Sequence, residues 1–180
     1  MKIGLVPGAM KPYHAGHHYL TEMAMKECDQ VIIITSDVDR MTISGSNMRR
    51  AWEEIIIPLL PSFVQVRFAR SPVGEVYNII AEANERGDNV SFRIYGGTED
   101  VARFPGAKLN AKYGNNLRGT IINVAEEHPE RFLRGQGSSP VAKGAWVREA
   151  IATGDWKSFE RMLPEFLKPH AEEYLSILVS

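Results

Sequence analysis

Gly8-Ala9-Met10-Lys11-Pro12-Tyr13-His14-Ala15-Gly16-His17 follows directly on the apolar run Ile3-Gly4-Leu5-Val6, and its reading decides the fold. A β-rich run gives way to glycine, proline and two histidines three apart, the order expected where a strand hands over to a helix. Backbone N–H groups at a helix start lack intrahelical partners, and the helix dipole adds partial positive charge there. Histidines add side-chain donors for the same anion, and glycine lets backbone pass close to a ligand. The local chemistry therefore points to a nucleotide phosphate. Two other readings stay open for His14 and His17: polar groups satisfied within the protein or its surface, and half of a metal site. No cluster completes a metal set, because His128 and His170 stand alone and Cys28 is the single cysteine. No metal ligand is assigned.

Outward from this segment, short β-rich runs alternate with amphipathic ones. Ile3–Val6, Val31–Thr35, Val64–Ala69, Phe92–Tyr95 and Thr120–Val124 read as buried strands. Between them, His17–Glu27, Asn47–Leu60 and Val73–Arg86 carry apolar residues at helical spacing, with Gly87 placed as a stop. This alternation predicts an α/β fold, a Rossmann-like parallel five-stranded sheet with helices on both faces. Ligands of such sheets bind beyond the carboxyl ends of the strands. The His14–His17 segment, the Asp37–Ser46 loop, the Gly96–Arg103 loop and the stretch ending near Ser139 are expected to meet there. The last third reads as short helices, Trp146–Thr153, Trp156–Leu163 and Pro169–Leu178, covering the sheet. Trp156, Phe159, Leu163, Phe166 and Leu167 read as core. A single domain over 1–180 is expected, with an α/β core at 1–139 and C-terminal helices at 140–180.

The chain has 180 residues, enough for one domain with a substantial core. Its net charge of −1 and pI near 6.5 argue against nucleic-acid binding, which usually brings a basic face or a pI above ~9. A single cysteine excludes a disulfide framework and suits a reducing cytoplasm. The N-terminal strand is too short for a signal sequence, and Pro58 and Pro61 break the most apolar stretch, Ile55 to Val64. Cytoplasmic location, no nucleic acid and no membrane are the expectations, with homo-oligomerisation left open.

The opening segment resembles the HxGH signature of the nucleotidyltransferase superfamily, the group that also includes the HIGH motif of class I aminoacyl-tRNA synthetases. Gly8, Pro12, His14, Gly16, His17 and Leu20 match its pattern. The resemblance implies that His14 and His17 contact nucleotide phosphates and stabilise charge on the α-phosphate as pyrophosphate leaves. Gly8, Ala9, Met10 and Gly16 would approach the nucleotide, and Lys11 would touch a substrate phosphate. His18 lies outside the motif and reads as an exposed first-turn residue. A class I synthetase is excluded by size and by the lack of a KMSKS-like segment.

Lys143-Gly144-Ala145-Trp146-Val147-Arg148, followed by Gly154-Asp155-Trp156, resembles the second motif of this superfamily. The alignment gives Arg148 a phosphate contact but places Lys143 and Ala145 where hydroxyl residues are expected. Either Lys143 supplies the contact as a charge, or Ser138 and Ser139 supply it from just upstream, where Ser139-Pro140 would also cap a helix. In the loop after the second strand, Ser46 reads as an N-cap, and the resemblance makes Arg49, with Arg40 behind it, the candidates for an acceptor phosphate. Gly96, Asp100 and Arg103 either recognise ribose or base, or form a helix start with an i,i+3 ion pair. The irregular 104–119 stretch, with Lys108, Lys112 and Arg118, reads as a lid over an anionic substrate or as a solvated loop.

The reaction implied is transfer of a nucleotidyl group from an NTP to a phosphorylated acceptor with release of pyrophosphate, without a covalent intermediate. Magnesium would accompany the nucleotide, held by triphosphate oxygens and water. The Gly144–Arg148 and Gly154–Trp156 arrangement looks most like nicotinamide-mononucleotide adenylyltransferases. ATP is therefore the expected donor, with nicotinamide mononucleotide or phosphopantetheine as acceptor. Cytidylyl transfer is the alternative chemistry, and a non-catalytic nucleotide-binding module the alternative class.

Overall fold

A computed structural model describes residues 1–97, 103–104, 119–123 and 142–180. β1 (Lys2–Gly8), β2 (Gln30–Ser36), β3 (Val64–Ala69), β4 (Ser91–Gly96) and β5 (Gly119–Asn123) lie in the order β3-β2-β1-β4-β5, and every neighbouring pair is parallel. The helices are α1 (Ala15–Glu27), α2 (Gly45–Ala51), α3 (Pro72–Arg86), α4 (Gly144–Thr153), α5 (Trp156–Arg161) and α6 (Ala171–Val179). The parallel α/β architecture expected from the strand–helix alternation is present. Among the described residues no helix is long and apolar enough to cross a membrane.

Strand β2 is apolar at consecutive positions because both faces of the sheet are covered. Val31 and Ile33 join a core with Leu20 of α1, Trp52, Val147 of α4, Phe159 of α5 and Tyr174 of α6. Ile32 and Ile34 join a second core with Leu5, Ile94 and the α3 residues Val76, Ile79, Ile80 and Ala83. Helix α3 is bounded as its sequence predicts: Ser71 caps it through Gly74 N, Pro72 follows, and Gly87 ends it in the left-handed region at φ 67°.

The strand order reverses at β1, which decides where a ligand can enter. β1 runs to Gly8 against β2 but pairs with β4 only from Lys2 to Leu5. Beyond Leu5 the two strands no longer pair, and this crevice is the switch point at which parallel sheets receive ligands.

Several sequence expectations shift. Helix α2 is capped by Ser44, whose Oγ accepts from Asn47 N at 3.0 Å, whereas Ser46 lies inside the helix. Gly45 decides this register, since a Cβ there would stand 2.0 Å from the Asp37 carbonyl oxygen. The expected single helix to Leu60 instead widens into a π turn over Trp52–Ile56, with Ile57 N donating to Trp52 O, before a last turn at Ile57–Leu59. Pro58 has no N–H to continue the α ladder, which accounts for the irregularity at that end. Phe159, Leu163 and Leu167 are buried, but Trp156 is 52 % exposed on the first turn of α5.

Because the atom facing Gly45 is backbone, Gly45→Ala is expected to cost about 2 kcal/mol and to lower the melting temperature by roughly 5 °C. Thermal unfolding checks this; an unchanged midpoint would contradict the packing described.

Candidate active site

Helix α1 begins with an unusual reciprocal cap. His14 Nδ1 accepts from Gly16 N at 3.0 Å, and His17 Nδ1 accepts from His14 N at 3.3 Å. Two imidazoles thus do what a hydroxyl and a carboxylate do in the common capping box. Their rings stack with centroids 3.8 Å apart. Gly16 is required by this stack, since a Cβ would stand 2.9 Å from His14 Cε1 and 3.1 Å from the Ala142 carbonyl oxygen.

The cap also sets protonation. A neutral imidazole whose Nδ1 accepts must carry its proton on Nε2. Burial, aided by the Arg148 guanidinium, holds the His14 pKa down to about 3. Burial and then the neighbouring His14 hold His17 well below its ordinary value. Both rings are therefore neutral near pH 7, each with an Nε2–H that has no hydrogen-bond partner among the described residues. The backbone offers less than the sequence suggests. Ala15 N donates to Met162 O at 2.8 Å and Gly16 N is taken by His14, so two first-turn amides are already committed. Anion donors at this helix start come chiefly from side chains.

Tyr13 backs the pair, with its ring 5.8 Å from that of His17 and 4.8 Å from Trp52. Its hydroxyl lies 2.8 Å from His18 Nδ1 and 3.2 Å from Thr21 Oγ1. His18 is not the exposed residue expected. Its side chain is 13 % exposed, paired with Glu22 at 3.3 Å and covered by Phe166, and burial lowers its pKa to about 4. The cover arrives from the C-terminal segment, so no local pattern announces it.

Lys11 links two halves of the site. Its carbonyl oxygen accepts from Arg148 Nη1 at 2.9 Å, which brings the α4 arginine beside the His14 ring. Its Nζ donates to Ser36 O at 2.6 Å and to Ala9 O at 3.4 Å. Burial lowers the Lys11 pKa, and Asp37 opposes that shift. Arg148 Nε is buried without a partner among the described residues.

Beyond Lys11 opens a cavity of about 570 Å³. Gly8, Ala9 and Lys11 line it from the end of β1 and just beyond, Ser36 and Arg40 from the end of β2 and the loop after it, and Arg70 and Ser71 from just beyond β3, with Arg103 in the same lining. The structure thus gathers Gly8, Ala9, Lys11, Arg40 and Arg103 on one cavity, next to His14, Gly16, His17 and Arg148. Met10 turns its side chain into the core from a left-handed backbone at φ 49°. Arg49 lies elsewhere, paired with Glu53 at 3.0 Å and over the Phe68 ring. Lys143 holds the N-cap position of α4 with its ammonium 5.1 Å from the Trp146 ring centroid. Gly96 ends β4. Asp100, Lys108, Lys112, Arg118, Ser138 and Ser139 lie outside the described residues. Sequence reasoning missed Tyr13 and the Arg70-Ser71 pair. A signal existed for the second: Ser71-Pro72 after a strand marks another helix start on the ligand edge. Among the described residues no three His, Cys, Asp or Glu side chains converge on a metal site.

No family model matches the chain, and no curated protein matches it in sequence. Solved structures do match in fold. Thermotoga maritima TmcAL bound with α-thio ATP aligns at TM-score 0.56 and 14 % identity, over 98 % of this chain and 55 % of that one. A provisionally assigned nicotinate-nucleotide adenylyltransferase from Vibrio parahaemolyticus aligns at TM-score 0.59 and 16 % identity, over 97 % and 98 %. A bifunctional NMN adenylyltransferase/ADP ribose pyrophosphatase from Francisella tularensis aligns at 0.53 and 11 %, over 99 % and 52 %. The chain spans about half the length of the first and third and nearly all of the second. At these identities the likeness establishes a shared fold.

The buried neutral histidines make stability pH-dependent. In the unfolded chain they take up protons below about pH 6.5, whereas in the folded chain His14 does so only near pH 3 and His18 near pH 4. The unfolded state therefore binds more protons across this window, and stability falls as pH drops below the unfolded value. Urea unfolding between pH 6 and 5 should show a slope steeper than the ~1.4 kcal/mol per pH unit of one proton. A flat profile would contradict the burial of these rings.

Proposed function

We propose that this chain is an HxGH-type nucleotidyltransferase that moves an adenylyl group from ATP to a phosphorylated acceptor, such as nicotinamide mononucleotide, and releases pyrophosphate. The observation that carries the reading is the stacked pair of neutral imidazoles beside the Arg148 guanidinium, each with its Nδ1 committed and its Nε2–H without a partner among the described residues. Fold likeness to adenylyltransferases supports the class of reaction, and the α-thio ATP bound to the Thermotoga protein supports the donor.

In this reading an acceptor phosphate oxygen attacks the α-phosphorus, and the bond from that phosphorus to the bridging oxygen breaks as pyrophosphate departs. The acceptor oxygen is already anionic near neutral pH, so no general base is needed. His14 and His17 act as fixed hydrogen-bond donors to oxygens of the α-phosphate, where charge accumulates. Their depressed pKa values make them neutral donors rather than proton carriers. In the same reading Arg148 would meet the leaving phosphates, and Lys11 and Arg40 the acceptor phosphate. Magnesium would enter with the triphosphate as part of the substrate and would supply charge neutralisation there, with no residue of this chain assigned to hold it. Lys143, which faces Trp146 where a hydroxyl residue is expected, is the observation that favours a nucleotide-binding module without turnover.

Pyrophosphate release measured with ATP and CTP against nicotinamide mononucleotide and phosphopantetheine separates these readings. Turnover with ATP is expected; tight ATP binding with no turnover for any pair would overturn the transferase. His17→Ala is expected to lower kcat by about 100- to 1,000-fold, the usual cost of one transition-state donor, with the KM for ATP little changed. Full turnover in that variant would remove His17 from the chemistry.

A further inference from the structure

We infer that Gly144 is a positioning residue for Arg148: having no Cβ, it lets the guanidinium fold back over the first turn of its own helix and reach the Lys11 carbonyl beside His14. The placement rests on geometry, and its consequence for ATP rests on the proposed function.

Arg148 stands four residues after Gly144 on α4, so the two share one helix face. Long helical side chains lean toward the N-terminus and cover the turn before their own Cα. Arg148 does so here. A Cβ at Gly144 would stand 2.9 Å from Arg148 Nη1 and 3.8 Å from its Cζ. Beyond chain neighbours and the helix backbone, it would meet no other atom within 4 Å among the described residues. Nη1 is also the nitrogen that donates to the Lys11 carbonyl at 2.9 Å, the one hydrogen bond of this side chain among the described residues. Ordinary contact with a Cβ begins at 3.4 Å. A methyl group would therefore push Nη1 outward and lengthen the bond that holds it.

Little else keeps the guanidinium in place. Burial and the Arg40 charge both act against it, and the positive end of the helix dipole disfavours a cation at a helix start. No side-chain cap competes for the space, because Lys143 makes no cap hydrogen bond and sets its ammonium over Trp146. Where the second motif is expected to carry hydroxyl side chains, this chain keeps an open first turn, and Arg148 fills it. Gly144→Ala would displace the arginine rather than unfold the helix, since the atom in the way is the end of a flexible side chain.

Gly144→Ala, Arg148→Ala and the double variant test this. Near pH 7 the His14 ring signals in nitrogen-15 spectra report the neighbouring guanidinium without any substrate. Both single variants should shift them, and Gly144→Ala should shift them no further once Arg148 is removed. Calorimetric titration with magnesium-ATP should follow the same pattern. Each single variant should bind about tenfold more weakly, the scale of one charge-assisted hydrogen bond, and the double variant no more weakly than Arg148→Ala. The melting temperature of Gly144→Ala should stay within about 3 °C of the unaltered protein. His14 signals unmoved by Gly144→Ala, an effect that persists in the Arg148→Ala background, or a larger fall in melting temperature would overturn the inference. So would full ATP affinity in Gly144→Ala where Arg148→Ala has lost it. If the unaltered protein does not bind ATP, or Arg148→Ala binds it as tightly, the role proposed for Arg148 fails, and the ring signals still decide the role of Gly144.

Discussion

The first turn of α1 depends on two hydrogen bonds that close it with imidazole nitrogens, Gly16 N to His14 and His14 N to His17. Much of the site follows from that closure. It fixes the tautomers, stacks the rings, and leaves no room for a Cβ at Gly16. It also turns a pattern that reads as ligand binding into a structural device: the same side chains start the helix and keep one N–H each free. A hydroxyl–carboxylate cap would start the helix equally well but present no neutral donor pair.

Around this turn the protein spends its polar groups sparingly. The Ala15 amide goes to Met162, the Tyr13 carbonyl receives Tyr174 Oη at 2.9 Å, and the Lys11 carbonyl receives Arg148. Each bond ties the start of α1 to the C-terminal helices, which share one core with α1 and Trp52. Arg148 thus reaches the segment before α1 through the backbone of Lys11, a residue that also lines the cavity. One residue couples the two halves of the proposed reaction.

Much of the fold was legible because its signals are local. Val31 to Ile34 can be buried on both faces only in a covered parallel sheet, and Gly87 stops α3 by adopting a conformation that most residues avoid. Pro58 hinted at the disturbance in the second helical stretch without specifying a π turn. The site was legible where residue type alone carries chemistry, as at His14, His17, Lys11 and Arg148. Assignments failed where long-range packing decides. His18 is covered by Phe166 from the other end of the chain. Arg49 could have been set aside, since Glu53 stands four residues later on the same helix face. Arg70 had a local signal in the Ser71-Pro72 helix start beside it, but its place on the cavity follows from the topology, which sets the end of β3 beside that of β2.

The central claim is that His14 and His17 are neutral, carry their protons on Nε2 and present them to a nucleotide phosphate. Nitrogen-15 imidazole spectra of the labelled protein, recorded with and without magnesium-ATP, test it most directly. Near pH 7 both rings should give the Nε2–H tautomer, remain neutral toward about pH 5, and shift at Nε2 when the nucleotide is added. A charged ring, an Nδ1–H tautomer, or Nε2 signals indifferent to ATP would contradict the account.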